Sequence, residues 1–411
     1  MMANARDTES RTAEEPGEAP PLEGIRVLDL SAYIAGPYGC SLLADMGAEV
    51  IKVEPPGGDN LRKYPSTLEN ESRAFLGVNR GKRGMVLDLK TEEGLAALIG
   101  LVRTSDVLVH NFRPAVPARL GIDYDSLREH NPKLIYCAVT GYGELGPDSG
   151  KAGYDQVLQT VSGLCAMQGK PGHPEILYGS VVDYYAASML ASGVSAALFR
   201  RERTGKGSYV GVSLLRSALA MQSARLVWAE GEGRNVFRDM RSGGITGLHP
   251  TREGTLYISA NTPHFWQALC EMTGLQDLAA DSRFDSVRKR AENAPYLIGR
   301  LRQALAARGA REWEALFGDR VPCAAVREVE DMFSDPQVKE EGMIRRFEHP
   351  VVGSYLGFAG CVKFAQDSVA LPDPAVRIAA PTFGQHTDEV LSELGHTPED
   401  IAELRRKGAV S

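Results

Sequence analysis

Apolar residues come in short runs separated by stretches of helical period, and this alternation is the main structural signal in the chain. Gly24-Ile25-Arg26-Val27-Leu28-Asp29-Leu30 reads as a buried strand. A helical stretch from Pro37 to Met46 follows, then a second strand, Glu49-Val50-Ile51-Lys52-Val53. Pro37 suits a first helical turn and Gly47 a stop, so the three pieces form a strand-helix-strand unit. The pattern recurs, with predicted helices over Glu92 to Arg103 and Tyr124 to His130, and strands over Asp106 to His110 and Leu134 to Val139. Alternation of this kind predicts a parallel sheet covered on both faces, with ligands beyond the carboxyl ends of its strands.

Further along, helices are expected over Asp155 to Met167 and Tyr184 to Arg201, the second closed by Thr204-Gly205-Lys206-Gly207. A strand, Tyr209 to Val212, leads into a long helical stretch from Leu214 to Glu230. The glycine-rich stretch Gly231 to Gly254 marks a boundary or a loop. Beyond it, Thr255 to Ala260 reads as a strand and His264 to Met272, Asn293 to Ala307 and Arg311 to Phe317 as helices. The expected organisation is a disordered tail over 1–20, a large domain over 21–230, a smaller α+β domain over 231–320, and a segment from 321 to 411 that returns to the large domain.

Composition narrows the function classes. The 411 residues carry a formal net charge of -7, against nucleic acid or an anionic membrane as partner, since both reward broad positive surfaces. No stretch approaches the roughly 20 uncharged apolar residues of a membrane span, and the first 20 lack the apolar core of a signal peptide. Six cysteines (Cys40, Cys137, Cys165, Cys270, Cys323, Cys361) show no paired spacing, and no carboxylates or histidines fall at ligand spacing. No metal, no disulfide framework and a reducing, cytoplasmic location are expected. Arg80, Lys82 and Arg83 cluster, with Arg62, Arg113 and Arg119 in the same half, which leaves room for a small polyanionic ligand.

A family resemblance covers nearly everything after residue 21. Ala35-Gly36-Pro37 followed by Leu43-Ala44-Asp45-Met46-Gly47-Ala48-Glu49-Val50-Ile51-Lys52-Val53-Glu54 resembles the opening signature of family III CoA-transferases. The match continues through Gly58-Asp59, Asn79 with Lys82-Arg83, Leu87-Asp88-Leu89-Lys90 and Asn111-Phe112-Arg113-Pro114. It extends through Thr140-Gly141-Tyr142-Gly143, Gly146-Pro147, Arg203-Thr204-Gly205-Lys206-Gly207 and Pro381-Thr382-Phe383-Gly384-Gln385-His386-Thr387. The resemblance implies a Rossmann-like large domain built from both chain ends, a small domain, and two subunits interlocked as a homodimer. It implies acyl-CoA and a small carboxylic acid as substrates, with no permanently bound cofactor.

Moving CoA between acids without losing the acyl group to water requires a nucleophile that can itself be acylated. A carboxylate serves, provided its pKa is not pushed far upward. By resemblance the nucleophile is Asp183, in Gly179-Ser180-Val181-Val182-Asp183-Tyr184, ahead of a small-residue helix. A helix N-terminus favours negative charge there, and the local sequence read alone makes Asp183 an N-cap. For the CoA phosphates the resemblance implies Arg80, Lys82, Arg83 and above all Arg119, with backbone of Tyr33 and Ile34 near the adenine and Asn111 and Phe112 shaping the groove. Read singly, each basic residue is equally a solvated surface charge. Gly243 and Gly244 fit a loop over the reacting centre or an ordinary linker.

Three other readings compete. Acyl-CoA racemases of the same fold need an acid/base pair, and the histidine they carry before an aspartate is here Tyr154, before Asp155; the plain reading is a packing aromatic and a helix cap. A nicotinamide-dependent oxidoreductase would need G-x-G-x-x-G after the first strand, and Ser31 to Gly39 contains none. A noncatalytic acyl-CoA binding protein would have no need of Asp183. No G-x-S-x-G elbow occurs, the eight histidines form no hydrolase motif, and His110 reads as a strand-end packing residue.

Overall fold

The computed structural model describes residues 19–168, 172–233, 245–364 and 378–411. Within them the chain divides into two compact units, one of residues up to Leu226 together with Gln337–Ser411, the other Val227–Pro336.

The first unit is built on the alternation seen in the sequence: β1 (Arg26–Asp29), α1 (Ala35–Asp45), β2 (Glu49–Glu54), α2 (Arg73–Val78), β3 (Lys82–Val86), α3 (Glu92–Arg103), β4 (Val107–His110), α4 (Ala115–Leu120), α5 (Tyr124–His130) and β5 (Ile135–Thr140). After β5 come α6 (Asp155–Val161), α7 (Leu164–Met167), the 24-residue α8 (Val181–Thr204), β6 (Ser208–Ser213) and α9 (Leu214–Ala220). The six strands form one sheet in the order β3-β2-β1-β4-β5-β6, every pair parallel. The order reverses between β1 and β4, the position at which sheets of this kind open a crevice for ligands.

Successive strand residues serve opposite layers. Val27, Val107, Val109, Ile135 and Cys137 pack with Leu43 of α1 and Val182, Ala186, Leu190 and Val194 of α8. Leu28, Leu108 and Tyr136 pack with Leu98 and Leu101 of α3 and Leu127 of α5 on the other face. Local caps set the helix limits: the Thr91 hydroxyl accepts the Gly94 amide at the start of α3, and Gly205, at φ 68°, ends α8.

Three expectations need correction. The helix predicted over Asp155 to Met167 is two short helices, broken at Gly163, whose φ of 88° a helix cannot hold. The stretch Leu214 to Glu230 is helical only to Ala220, and Leu226, Val227 and Trp228 beyond it are exposed. Finally, α8 is long and apolar enough to cross a membrane by length and composition, where no such stretch was expected; its inner face is occupied by the core just described.

The second unit holds a three-stranded antiparallel sheet, β7 (Gly247–Pro250), β8 (Thr255–Ile258) and β9 (Cys323–Ala325), in the order β7-β8-β9. Five helices accompany it: α10 (Pro263–Thr273), α11 (Gln276–Ala280), α12 (Val287–Glu292), α13 (Ala294–Leu305) and α14 (Ala310–Phe317). Leu256, Ile258, Trp266, Leu269, Leu301, Trp313 and Phe317 fill its own core.

After α15 (Pro336–Glu340), the hairpin β10 (Ile344–His349) and β11 (Gly353–Phe358) and the helices α16 (Thr387–Glu393) and α17 (Pro398–Arg406) belong to the first unit. The tail lies along the outer edge of β3: the Gly84 amide donates to His386 Nδ1 at 3.0 Å, the Val86 amide donates to the Thr387 hydroxyl at 3.2 Å, and Val390, Leu391, Ile401 and Leu404 join the lower core.

Candidate active site

The crevice at the β1/β4 switch point is shaped by the loop that leaves β1. Asp29, wholly buried at the end of that strand, accepts the Ser31 amide at 3.0 Å and the Lys82 ammonium at 2.7 Å. Lys52 donates to the Ser31 carbonyl at 2.7 Å. Asn111, one residue past β4, clasps Ala32 from the other side: its Oδ1 accepts the Ala32 amide at 2.9 Å and its Nδ2 donates to the Ala32 carbonyl at 2.7 Å. The Tyr33 amide donates to Asp59 Oδ1 at 3.2 Å. Held at both ends, Tyr33 adopts φ 65°, a conformation a non-glycine residue accepts only when its surroundings impose it. Tyr33, Ile34, Asn111 and Phe112 are therefore brought together at one place, with Phe112 stacked on the buried His110 ring.

Arg119 lies in the last turn of α4, past the carboxyl end of β4, and is exposed, with no carboxylate within ion-pair distance among the described residues. Arg113, also exposed, lies between it and Phe112 in sequence.

The other three basic candidates are committed to the fold. Lys82 is fully buried and its ammonium donates to Asp29, the Pro37 carbonyl and Asn79 Oδ1 at 2.7, 2.7 and 2.8 Å. Arg80 is buried against the Asp45 carboxylate and over the Tyr38 ring. Arg83 pairs with Glu49, Glu389 and Glu393 and ties β3 to α16. The sequence places them in one cluster; in the structure each points to a different carboxylate, and the three are not brought together.

Asp183 lies in the first turn of α8, two residues inside its start, and does not cap it. Ser180, at the N-cap, takes φ 58° and makes no side-chain cap bond. The cap comes from elsewhere in the chain: Asp155, at the start of α6 and 2 % exposed, accepts the Val182 amide at 2.6 Å and the Asp183 amide at 3.0 Å through Oδ2. The Asp183 carboxylate itself is half-buried with no hydrogen bond or ion pair to it among the described residues. Burial, and after it the nearby Asp155 charge, push its carboxyl up to about 7. The group thus lies well above the usual carboxylate range, where a little-shifted nucleophile was expected, and strong perturbation of an unpaired carboxylate marks a functional candidate.

Aromatic contacts connect the two regions. Tyr154 precedes Asp155 and meets the Tyr33 ring edge-on, centroids 5.8 Å apart, while Tyr38 of α1 meets Tyr184 of α8 at 4.8 Å and 90°. Tyr154 packs on Tyr33 as the sequence suggests, but at the surface, half exposed, and not in the core. The crevice loop, Tyr154, Asp155 and Asp183 thus form one continuous set of contacts. Gly243 and Gly244 lie outside the described residues. The sequence gives no warning of Asp155 and Gln159: the first looks like a local cap, and its partner amides are 27 and 28 residues away.

A carboxylate that is unpaired, partly desolvated and connected through Asp155 and Tyr154 to the crevice loop can attack an activated acyl group. Comparison with known proteins agrees in kind. Residues 22–387 match the family model described as CoA-transferase family III. The human succinyl-CoA:glutarate CoA-transferase is 32% identical over 95% of this chain and 90% of its own length. The succinate–glutarate CoA-transferase of Agrobacterium fabrum is 34% identical over 92% and 97%. A crystal structure of Rv3272 from Mycobacterium tuberculosis is 32% identical, covers 90% of this chain and 99% of that one, and has a TM-score of 0.79. A CAIB/BAIF family protein from Brucella suis gives 29%, 92%, 100% and 0.80.

Proposed function

The chain belongs to CoA-transferase family III and is an enzyme of that type, and from this premise we propose that it moves CoA from an acyl-CoA thioester to a small carboxylic acid through Asp183. The Asp183 carboxylate attacks the thioester carbonyl, expelling CoA thiolate and forming a mixed anhydride. The thiolate then attacks the aspartyl carbonyl of that anhydride, giving an aspartyl-CoA thioester and releasing the first acid. The acceptor carboxylate attacks this thioester, and returning thiolate takes the new acyl group, restoring Asp183. Each step exchanges one acyl bond for another, so no redox partner is needed. The observation that carries the reading is the unpaired, half-buried Asp183 carboxylate on the first turn of α8, joined through Tyr154 to the crevice at Tyr33 and Asn111.

In the same reading the CoA phosphates lie by Arg119 with the adenine near Tyr33 and Ile34, supported by the location of these residues at the switch point of the sheet. The acceptor is a small dicarboxylate and succinyl-CoA a donor, supported by the names of the relatives from human and Agrobacterium. A homodimer is supported by the outward side of α8, where Tyr184, Met189 and Phe199 are exposed. The test is to incubate the enzyme with succinyl-CoA, quench, digest and search the Asp183 peptide for an adduct cleaved by hydroxylamine. A peptide that stays unmodified during turnover overturns the assignment; a panel of acids read by the mass of the new thioester identifies the acceptor.

A further inference from the structure

Three residues outside the proposed nucleophile, Leu177, Gln159 and Asp155, form a hydrogen-bonded chain that is buried at its last two members and ends on its backbone. The Leu177 amide donates to Gln159 Oε1 at 3.0 Å, and Gln159 Nε2 donates both to the Leu177 carbonyl at 2.8 Å and to Asp155 Oδ1. Asp155 Oδ2 then accepts the Val182 and Asp183 amides. Gln159 is 1 % exposed and Asp155 2 %, so neither carries these bonds in competition with water.

The arrangement is unusual for a cap. A helix start is normally satisfied by its own N-cap residue, and α6, which Asp155 begins, leaves its first turn without any side-chain cap. The carboxylate serves α8 instead. It neutralises two of the four free amides at that end, the groups that would otherwise attract the Asp183 side chain. Gln159 fixes the second oxygen, and in doing so pins residue 177, three before the strained Ser180 turn from which α8 starts.

We propose that Asp155 is a positioning residue of the transfer reaction, its carboxylate holding the first turn of α8, and with it the Asp183 side chain, through the Val182 and Asp183 amides. This rests on the reading of Asp183 as the nucleophile. Two consequences follow from the geometry. Asp183 is kept off its own helix terminus, so its carboxylate stays unpaired and aimed at an incoming acyl group. A second fixed negative charge lies behind it, which favours the protonated form of Asp183 and makes its anion a stronger nucleophile. The other groups about this turn are Tyr184 on α8, Tyr38 on α1 and, behind Tyr38, the Arg80 guanidinium paired with Asp45. Among them only the Asp155 charge acts on Asp183.

The test is the pH dependence of adduct formation on the Asp183 peptide with succinyl-CoA, comparing wild type, Asp155→Asn and Gln159→Met. Wild type acquires the adduct along a limb that rises through about pH 7. Asp155→Asn retains one acceptor for the amides and loses the charge, so its limb moves to lower pH by about one unit, and its plateau rate falls on the order of tenfold. Gln159→Met lowers kcat with KM for the thioester unchanged, and it decides the matter if Asp155→Asn does not fold. A limb that stays in place in Asp155→Asn, with only thermal stability lost, makes Asp155 a helix cap and overturns the proposal. No adduct on Asp183 in wild type overturns instead the nucleophile reading on which it rests.

Discussion

The Lys82 ammonium, from the start of β3, reaches across β2 to lie 2.7 Å from the Asp29 carboxylate at the end of β1, and both side chains are wholly shielded from solvent. Three acceptors surround the ammonium, so all three of its protons are used and it is charged in the fold. Burial alone would raise the Asp29 carboxyl, but Lys82 and then Lys52 outweigh it and hold it at about 2. The pair fixes the Ser31 end of the crevice loop, because the Asp29 oxygen that does not face Lys82 accepts the Ser31 amide.

Removing one partner strips the other buried charge of its nearest counter-charge, and Lys52, 3.9 Å from Asp29, compensates only in part. Lys82→Met is expected to lower unfolding stability by about 3–5 kcal/mol, and Asp29→Asn/Lys82→Met to recover most of it while the asparagine still accepts from Ser31. The Asp29 contribution is fully present above its unfolded pKa near 4 and is lost as pH falls through about 2. Urea titrations at pH 7 measure both variants. A double variant as unstable as the single one would show that Lys82 contributes packing and not charge.

Asp183 has the opposite sign. Its folded pKa of about 7 lies above the unfolded value near 3.8, so the native state binds the extra proton and ionisation opposes folding. Asp183→Asn is therefore expected to abolish transfer and to raise stability by about 1–2 kcal/mol at pH 8, a figure reduced from the full shift because the side chain is partly solvated. The gain should be absent below about pH 4, grow up to about pH 7 and stay constant above it. Unfolding midpoints at pH 4 and 8 check the pattern; equal gains at both would remove ionisation as the cause.

How far the chain could be read in advance depended on how local each determinant was. Helices α3 and α5 lie where their capping threonine or aspartate and apolar period place them, and the family resemblance rests on the same ordered segments. Strand β3 escaped notice because Lys82-Arg83-Gly84 opens it, and charged residues in a strand are explicable only once Asp29, Glu49 and Glu393 are opposite them. Lys82 and Arg83 are neighbours in sequence but not in space, because a strand sends successive side chains to opposite faces. The cap of α8 was illegible for a stronger reason, since nothing near Ser180 signals a partner at Asp155.

Arg119 is, like Arg113, an exposed cation past the end of β4, on a helix of six residues closed by Gly121 at φ 69°. With no carboxylate to release, it can give its full charge to a phosphate. Arg119→Ala is expected to weaken CoA binding roughly tenfold, in line with the loss of one charge-assisted contact, and to reduce the salt dependence of that binding. Arg83→Ala, which breaks only the pairs to Glu49, Glu389 and Glu393, should leave CoA affinity unchanged. Calorimetric titration at two salt concentrations separates them, and equal effects from both would return Arg83 to the phosphate site.

The loop carrying Tyr154 and Asp155 depends on a contact between two glycines. A Cβ added at Gly153 would stand 2.6 Å from the Gly141 Cα and 3.0 Å from Leu158 Cδ2, and the first neighbour is backbone at the end of β5 that cannot rotate away. Gly153→Ala must therefore push Tyr154 and Asp155 out of place. Overpacking of this kind costs about 1–3 kcal/mol, and because Asp155 holds the first turn of α8, the rate of adduct formation at Asp183 should fall more than stability alone explains. Gly150→Ala is the control: it lies in the same loop, is exposed, and a Cβ there meets nothing within 4 Å. Thermal unfolding and adduct kinetics on both variants test the link. If Gly153→Ala loses stability while adduct formation on the folded enzyme matches that of Gly150→Ala, the position of this loop does not govern the nucleophile.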